Sequence, residues 1–370
     1  MDGNGLYITT NQFELFSPGR FKGSQVYAIS KRQLAAGGPA NFVQFDTAGL
    51  APGLPYGIPG FTVWPSLSRD TNFRTDNGGT EFALSSLAVF SSNGAFNQLV
   101  MWELTNTQSI DSSPAAVKLT AGLVNTQLYA VPGSSAQKAG NFPLGQCLGD
   151  TTIATPVGPG CWNFFVVGGP FPQTETRLPS NDSRMQQVFY ANGKLWAALD
   201  TGVLVNGSPQ AGVAFFVLQP TGSPATPTAA VVKQGLLALA NDNLTYPAIG
   251  VTSSCRGVIA FTVLGNDFYP SAGYAPLDAL AGAGVIHVAA NGVGPEDGFS
   301  AYAPLTAPNP RRPRWGDYGG AAVDGNSIWI ASEYTAQTCD LNTFVATGFV
   351  CGNTRAAFGN WATRISKVSF

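Results

Sequence analysis

The sequence contains few charged residues. Of its 370 residues, 19 are Lys or Arg and 21 are Asp or Glu, so charged side chains make up 11% of the chain, against roughly 25% in an average soluble domain. The formal net charge is −2, and the basic residues cluster only in Arg311-Arg312-Pro313-Arg314. Binding to nucleic-acid phosphates requires many clustered Lys and Arg side chains. The sequence therefore argues against a nucleic-acid partner.

Patterns for metal binding and for membrane spans are also missing. The chain has a single histidine, His287, and no Cys-x-x-Cys pair, which argues against a zinc site. No Asp-x-Asp-x-Asp loop supports calcium binding. No cofactor is therefore predicted, and calcium held by Asp and backbone oxygens stays open as an alternative. No apolar run reaches about 18 residues, so no membrane span is predicted.

The sequence has five cysteines, an odd number. Cys147 and Cys161 flank one loop, Cys339 and Cys351 flank another, and Cys255 is left over. In a chain poor in Lys, the two loop-closing pairs predict two disulfides and an oxidising compartment. Five free thiols are the alternative. The first residues lack the pattern of a signal peptide, so we expect a mature domain secreted to the periplasm or the extracellular space.

Glycine and proline are abundant instead. The chain has 44 Gly and 26 Pro, and 44% of its residues are hydrophobic. This composition is typical of many short strands separated by tight turns, and it argues against disorder. The sequence therefore predicts an all-β fold. One stretch, residues 231–241, could form a short helix.

The two ends of the chain carry the same pattern. Residues 2–11 and residues 324–333 each begin with Asp-Gly-Asn, and each continues with aliphatic and aromatic residues in matching positions. Each is followed, after a loop, by a strand that contains Ile-Ser-Lys. Self-similarity over a long period is typical of repeat architectures, and Asp-Gly and Asn-Gly turns between β runs indicate hairpins.

Weaker copies of the unit follow turns near residues 76, 192 and 254. A further short strand rich in small residues precedes most of these turns: 61–64, 185–190, 246–252 and 318–323. Sheets of about four antiparallel strands repeated around an axis form a β-propeller. The sequence thus predicts one five-bladed β-propeller domain over residues 1–370, with an insertion around 105–180. A six-bladed propeller and a two-sheet sandwich are the alternatives. The first unit starts at its turn, so its innermost strand is missing or comes from elsewhere.

Several motifs resemble those of a known family. They are Arg314-Trp315-Gly316-Asp317-Tyr318, the turn at Asp324, the strand with Trp329 and Glu333-Tyr334, Thr363-Arg364-Ile365, and the start Asn11-Gln12-Phe13. Together they resemble an uncharacterised family of secreted bacterial β-propellers that are similar in shape to sialidases. The chain has no Ser-x-Asp-x-Gly-x-x-Trp box and no recognisable sialidase arginine triad. The resemblance therefore implies a fold and a secreted location, and it implies no particular activity.

The register of the repeats predicts which residues lie at the mouth of such a propeller. Ligand sites are expected where the innermost strands begin and where the second strands end. The catalytic candidates are the carboxylates Asp200, Asp317 and Glu333. The ligand-binding candidates are Arg184, Tyr246, Trp315, Tyr318, Tyr334 and Asn11. Asn11, Asp200 and Glu333 occupy equivalent positions in their repeats.

Two functions fit this pattern. The first is a non-catalytic, secreted propeller that binds a carbohydrate or a protein surface, or forms part of an extracellular assembly; low charge and long apolar loops favour it. The second is a glycoside hydrolase, in which one carboxyl group of raised pKa protonates the leaving oxygen and a second activates water. Carboxylates that only bond backbone amides at strand ends would argue for the first.

Overall fold

The computed structural model describes residues 2–16, 18–54, 57, 59–68, 73–87, 94–165, 177–298, 314–356 and 358–370. In this part of the chain the protein is mainly β, with several antiparallel sheets. Most of the basic cluster, Arg311 to Pro313, lies outside the described residues.

The first two sheets come from the N-terminal third of the chain. Sheet 1 has the strands β1 (Gly5–Phe13), β2 (Phe21–Ser30) and β3 (Phe42–Asp46), with the helix α1 (Lys31–Ala35) between β2 and β3. Sheet 2 has the strands β4 (Phe61–Pro65), β6 (Thr80–Ser86), β7 (Ala95–Thr105) and β8 (Lys118–Ala130). A two-residue strand, β5 (Leu67–Ser68), leaves sheet 2 and pairs with the next large sheet. The first part of the predicted insertion at 105–180 therefore includes β8, which is a strand of sheet 2.

A lobe with little β structure follows β8. It holds the helix α2 (Pro143–Gly149) and the short strands β9 (Ala154–Thr155) and β10 (Gly158–Pro159). Short 3-10 helices lie here and in earlier loops: Thr47–Gly53, Asp76–Gly78, Thr107–Asp111 and Cys161–Phe165.

Three more sheets complete the chain. Sheet 3 has β11 (Met185–Ala191), β12 (Lys194–Val205), β13 (Ser208–Pro220) and β14 (Ala229–Leu237), with β5 added beside β11. Sheet 4 has β15 (Asp242–Val251), β16 (Arg256–Gly265), β17 (Ser271–Asp278), β18 (Gly282–Ala283) and β19 (His287–Ala290). Sheet 5 has β20 (Gly320–Asp324), β21 (Ser327–Thr335) and β22 (Trp361–Ser369), with the helix α3 (Leu341–Ala346) between β21 and β22.

The predicted turns have the backbone geometry that their residues favour. Asn192 and Gly193 both have positive φ angles, 49° and 74°, and join β11 to β12 as a two-residue hairpin loop. Asn206 and Gly207, which were not among the predicted turns, do the same between β12 and β13. Asn and Gly tolerate this conformation better than other residues, which is why Asn-Gly marks tight hairpins. Strands are present where short strands were predicted before the turns: β4, β11 and β20 lie close to the predicted ranges, and β15 begins four residues before its predicted start.

The helix suggested for 231–241 is wrong. Residues 229–237 form β14, which pairs with β13 along its whole length. Val and Ala residues on this strand complete sheet 3, and pairing with a long neighbouring strand outweighs the weak helical pattern.

Hydrophobic cores lie between successive sheets. Tyr7 and Val26 of sheet 1 pack against Trp102 of sheet 2, and separate clusters join sheet 2 to sheet 3 and sheet 3 to sheet 4. Ile328 and Ile330 of sheet 5 pack against Val258 and Ala260 of sheet 4. The sheets thus pack face to face in the order 1 to 5.

Both predicted disulfides are confirmed, and they meet in one lobe. Cys147 bonds to Cys161, and Cys339 bonds to Cys351. Around them, α2 and α3 bring together Phe142, Leu144, Phe344 and Phe349. Cys255 is a free cysteine. None of the helices in the described part of the chain is long and apolar enough to cross a membrane.

Candidate functional site

Sheet 5 has one packed face and one open face. Side chains alternate between the faces of a strand, so Trp329 points away from the buried Ile328 and Ile330. The register places Lys367 beside Trp329 and Ile365 beside Ala331 on this face. Trp329 is 43% exposed, Trp361 55% and Ile365 62%. We call the surface formed by Trp329, Ile365, Lys367, Glu333 and Trp361 the open face of sheet 5.

Sheet 1, at the other end of the series, also has an open face. Tyr7 points into the core, while Ile8 on the opposite face is 46% exposed. Leu6 pairs with Ile29, and Ile29 pairs with Phe42 of β3, so Phe42 lies on the same face as Leu6 and Ile8. Phe42 is 62% exposed. Among the described residues, hydrophobic clusters join sheets 2, 3 and 4 to neighbours on both sides, whereas sheets 1 and 5 are each joined to one neighbour.

Beside the open face of sheet 5 lies a cleft of about 440 Å³. Its walls come from the residues before β20, the ends of β21 and β22, and the loop after β19. Three carboxylates and three aromatic side chains line it: Glu296, Asp317, Glu333, Tyr318, Phe358 and Trp361. The cleft therefore combines carboxyl groups and the guanidinium of Arg314 with aromatic surface.

Glu333 lies at the end of β21 and faces the cleft. Its Oε2 accepts a hydrogen bond of 2.7 Å from the backbone N–H of Gly316. Burial raises the pKa of the Glu333 carboxyl group, the Gly316 hydrogen bond opposes this shift, and the charge of Asp317 adds to it. One oxygen of this predicted catalytic residue is therefore already bound to the backbone.

Glu296 is the cleft residue that the sequence did not single out. It is almost completely buried, and its Oε1 accepts a 2.8 Å hydrogen bond from the N–H of Gly298. Its buried Oε2 has no hydrogen-bond partner among the described residues. Burial, followed by the charges of Asp297 and Glu333, raises the pKa of Glu296 to about 8. The loop that carries Glu296 was not aligned with any of the sequence repeats, so the alignment of the repeats did not identify this residue.

Asp297 joins the cleft to the disulfide lobe. Its carboxylate accepts hydrogen bonds from the backbone N–H groups of Leu144 and Gly145 at the start of α2. Arg355 donates to the same carboxylate at 3.0 Å, and both side chains are fully buried. The guanidinium also lies over the ring of Phe344. The loop that carries Glu296 is thereby fixed to the lobe.

Two further cleft residues, Asp317 and Tyr318, are held by contacts with neighbouring side chains. Asp317 forms an exposed ion pair of 2.8 Å with Arg314. The Tyr318 ring contacts the Trp64 ring of β4, with centroids 5.4 Å apart. The Tyr318 hydroxyl accepts a long, 3.5 Å hydrogen bond from Arg184, and Arg184 also pairs with Asp182. Tyr318, which precedes the first strand of sheet 5, therefore contacts residues at the first strands of sheets 2 and 3.

Other predicted site residues do not line this cleft, although the buried Tyr246 ring packs against the lining residue Gly316. Asp200 is fully buried; it accepts a 2.7 Å hydrogen bond from the N–H of Tyr246 and another from Asn181. Trp315 and Tyr246 are buried in a cluster with Leu178 and Leu264. Tyr334 lies on the face of β21 opposite Glu333. Of the predicted site residues, Asp317, Glu333 and Tyr318 line the cleft, whereas Asp200 does not line it.

The equivalent repeat positions share a structural pattern. The seventh residues of the second strands are Asn11, Ser86, Asp200, Thr262 and Glu333. We call them the position-7 residues. Asn11 accepts from the N–H of Thr62 at 2.8 Å, and Asp200 accepts from the N–H of Tyr246. Thr262 accepts a weak hydrogen bond from the Trp315 indole.

The backbone groups bound by position-7 residues lie in or just before the first strand of a sheet: Thr62 in β4, Tyr246 within β15 and Gly316 before β20. Thr62 and Tyr246 have positive φ angles of 50° and 56°, and Gly316, bound by Glu333, has 67°. Asn11 and Asp200 bond to the next sheet in the series, and Thr262 donates to the carbonyl of Glu333 in sheet 5. Glu333 bonds to Gly316, which precedes the first strand of its own sheet.

A second cleft, of about 810 Å³, lies between sheets 3 and 4. Amide side chains dominate its polar lining: Asn206, Gln210, Asn241, Asn243 and Asn266. Asn243 bridges the two sheets, because it accepts from the N–H of Ala211 and donates to the carbonyl of Leu264.

Metal ligands are not gathered in the described part of the chain. No group of three or more His, Cys, Asp or Glu side chains there could hold a metal ion. Comparison of the sequence with protein-family models and with curated proteins gave no match.

Proposed function

We propose that this protein is a secreted, five-bladed β-propeller of the bacterial family that its motifs resemble, and that it acts as a non-catalytic binding protein. Each sheet would be one blade, and the two disulfides support an oxidising, extracytoplasmic location. The partner is a polypeptide, which contacts the open face of sheet 5 and the cleft beside it.

The observation that carries this proposal is the open face of sheet 5. Large apolar side chains are exposed together on it, whereas the equivalent faces of sheets 2, 3 and 4 are covered by the next sheet. Exposed contiguous apolar surface next to polar residues is typical of protein interaction sites. Trp residues are also enriched among the residues that dominate binding energy at interfaces.

The hydrogen bonds of the carboxylates support binding over catalysis. Asp200 and Glu333 each accept from a backbone amide, as expected for residues that fix strand ends. Asp317 is held by Arg314. A hydrolytic site would need a carboxylate pair that is free to handle a proton and a water molecule.

A library of random peptides, selected against the immobilised protein, tests the binding function. The matched counter-selection uses the variant Trp329→Ser/Trp361→Ser/Ile365→Ser, which should fold normally because these side chains are exposed. We expect peptides that the wild-type protein retains and the variant releases. If both proteins retain the same peptides, or neither retains any, the proposed function is wrong.

Glycoside hydrolysis is the second candidate, and Glu296 favours it. A buried carboxyl group with a pKa of about 8 is protonated at neutral pH and could act as a general acid, with Glu333 nearby and Trp361 as a surface for a sugar ring. A panel of aryl glycosides and polysaccharides tests this activity. Turnover by the wild-type protein that Glu296→Gln abolishes would support glycoside hydrolysis. We expect no turnover from either protein.

A further inference from the structure

The cleft of about 810 Å³ between sheets 3 and 4 is the larger of the two clefts described above. We call it the amide cleft. Its volume is within the range of about 300–1,000 Å³ that is typical of sites for small ligands. All the residues that line it belong to the described part of the chain, and none of them lines the cleft beside sheet 5. It is therefore a separate candidate site.

One wall of the amide cleft is a hairpin that extends beyond the rest of sheet 3. The strands β12 and β13 pair as far as Val205 and Ser208. Among the described strands, β11 pairs with β12 only as far as Leu199, and β14 pairs with β13 only as far as Val213. We call residues 202–211, most of which line the cleft, the projecting hairpin. Its two strands thus contact the cleft without a third strand beside them.

The edge of the projecting hairpin that faces sheet 4 is not suited to binding an extended peptide. The N–H of Ala211 on this edge donates to Oδ1 of Asn243 at 2.9 Å. Pro209 lies two residues earlier on the same edge of β13, and proline has no N–H. Strand addition depends on backbone hydrogen bonds along an edge. A ligand in the cleft is therefore recognised by side chains.

Two of the five amide side chains in the cleft are used by the fold. Asn243 accepts from Ala211 and donates to the carbonyl of Leu264, so it joins the projecting hairpin to sheet 4. Asn241 donates to the carboxylate of Asp267 at 3.2 Å. These two side chains fix the walls of the cleft.

The other three amides, Asn206, Gln210 and Asn266, are not used in this way. None of them makes a side-chain hydrogen bond with the described residues, and Oε1 of Gln210 is a buried atom without a partner there. An amide group has donors and an acceptor side by side, and loss of water from it costs free energy unless new hydrogen bonds form. These side chains match a ligand that both donates and accepts hydrogen bonds.

The charges around the amide cleft argue against a charged ligand. Among the described residues that line it, Arg177 alone is charged, and one of its N–H groups donates to the carbonyl of Ser134. No carboxylate belongs to this lining, so a bound cation would have no opposite charge there. Burial of an unpaired charge is costly. The expected ligand is thus uncharged.

Apolar side chains lie beside the polar groups of the projecting hairpin. Val203 pairs with Gln210, and Val205 pairs with Ser208. Side chains of directly paired residues share a face, so the two valines lie on the same face as the amide and the hydroxyl. No aromatic ring is among the described residues that line the cleft. A sugar ring has a matching surface, because it carries hydroxyl groups at its rim and C–H groups on its faces.

We propose that the amide cleft binds an uncharged oligosaccharide. Asn206, Gln210 and Asn266 bond its hydroxyl groups, and Val203 and Val205 contact a ring face. A hydroxyl group both donates and accepts hydrogen bonds, so neighbouring hydroxyls of one sugar satisfy both ends of an amide. This site goes beyond the proposed polypeptide partner, because it shares no lining residue with the cleft beside sheet 5.

Five neutral hexasaccharides test the proposal: cellohexaose, maltohexaose, xylohexaose, mannohexaose and hexa-N-acetylchitohexaose. Each is titrated into the full-length protein in a calorimeter. We expect at least one of them to bind with a Kd below about 1 mM. Hexagalacturonate, which has a carboxylate on every ring, should bind at least tenfold more weakly than the best neutral sugar. Hydrogen–deuterium exchange of the wild-type protein with that sugar should become slower in residues 202–211.

Two single variants test the amides that the fold does not use. Gln210→Ala and Asn266→Ala should each weaken binding by roughly three- to tenfold, since each removes a hydrogen bond to the sugar. Their urea midpoints should equal that of the wild-type protein, because neither side chain is bonded within the described structure. The control Asn342→Ala, which removes an exposed amide from α3, should bind the sugar as the wild-type protein does.

Four results would overturn the inference. They are the absence of binding by all five neutral hexasaccharides, equal or tighter binding of hexagalacturonate, slower exchange only outside residues 202–211, and unchanged binding by a Gln210→Ala/Asn266→Ala double variant. The exchange experiment needs no variant, so a folding defect would not leave the question open. If peptides from the random library slow exchange in residues 202–211 while no hexasaccharide does, the cleft binds a polypeptide and the proposal is rejected.

Discussion

At the scale of single residues, the buried Glu296 makes the clearest prediction. Its pKa is about 8 in the folded protein against an ordinary value of 4.5. Between these values the folded protein keeps a proton that the unfolded chain has released, so this group makes stability fall as pH rises from about 4.5 to about 8. Glu296→Gln cannot lose a proton and should escape this loss.

We therefore expect Glu296→Gln to match the wild-type protein near pH 4.5 and to be more stable at pH 8, by an amount on the order of 2–4 kcal/mol. Urea unfolding at a series of pH values measures the difference. The control Glu14→Gln, at a half-buried surface carboxylate paired with Lys22, should change stability at pH 8 by less than about 1 kcal/mol. A difference between Glu296→Gln and the wild-type protein that stays constant from pH 5 to pH 8 would contradict the prediction.

At the scale of strands, the position-7 residues differ in how much they stabilise the sheets. Asp200 is fully buried, and burial keeps its pKa well above the usual range. Removal of its side chain leaves the Tyr246 N–H and the Asn181 amide without this acceptor. Asp200→Ala should therefore cost about 2–4 kcal/mol, whereas Asp200→Asn keeps an acceptor and should cost less.

Ser86 provides the matched control at the same repeat position. Its buried Oγ has no hydrogen-bond partner in the described structure, so Ser86→Ala should cost less than about 1 kcal/mol. Urea unfolding of the three variants makes the comparison. A loss for Ser86→Ala as large as that for Asp200→Ala would mean that packing at position 7 matters, and not the hydrogen bond.

The strands also show what the sequence can predict. Turns at Asn192-Gly193 and Asn206-Gly207 were predictable because Asn-Gly has a local conformational cause. The register of the repeats predicted that Asn11, Asp200 and Glu333 share a position. It did not predict that each accepts a backbone N–H, from the next sheet for Asn11 and Asp200 and from Gly316 for Glu333. The role of Glu296 depends on a loop held by Asp297 and Arg355 from distant parts of the chain, and no local pattern records that contact.

At the scale of the whole molecule, the sequence repeats predicted the β-sheets, but they did not predict the lobe that holds the two disulfides. The two cysteine pairs were predictable from their short loops, but no local pattern indicated that both loops meet around Phe142 and Phe344. Packing between segments about 200 residues apart decides that arrangement. The lobe then fixes the cleft, because Asp297 binds the start of α2.

This arrangement predicts how the disulfides contribute to stability. They close loops with sequence separations of 14 and 12 residues, so each should stabilise the fold by about 3 kcal/mol through the unfolded state. Cys147→Ser/Cys161→Ser and Cys339→Ser/Cys351→Ser should each open the shared hydrophobic cluster. Hydrogen exchange should then become faster in both α2 and α3, while the central strands of sheet 3 remain protected.

Because the loops pack against each other, their contributions should not add. Once the first disulfide is removed and the lobe opens, the second has fewer native contacts left to hold. The quadruple variant should therefore lose less stability than the sum of the two double variants, with a coupling free energy on the order of 1 kcal/mol. Cys255→Ser, which removes the free thiol, is the control for loss of a sulfur atom. Strict additivity in denaturant unfolding would show that the two loops are independent, and the lobe would then not act as one unit behind the cleft.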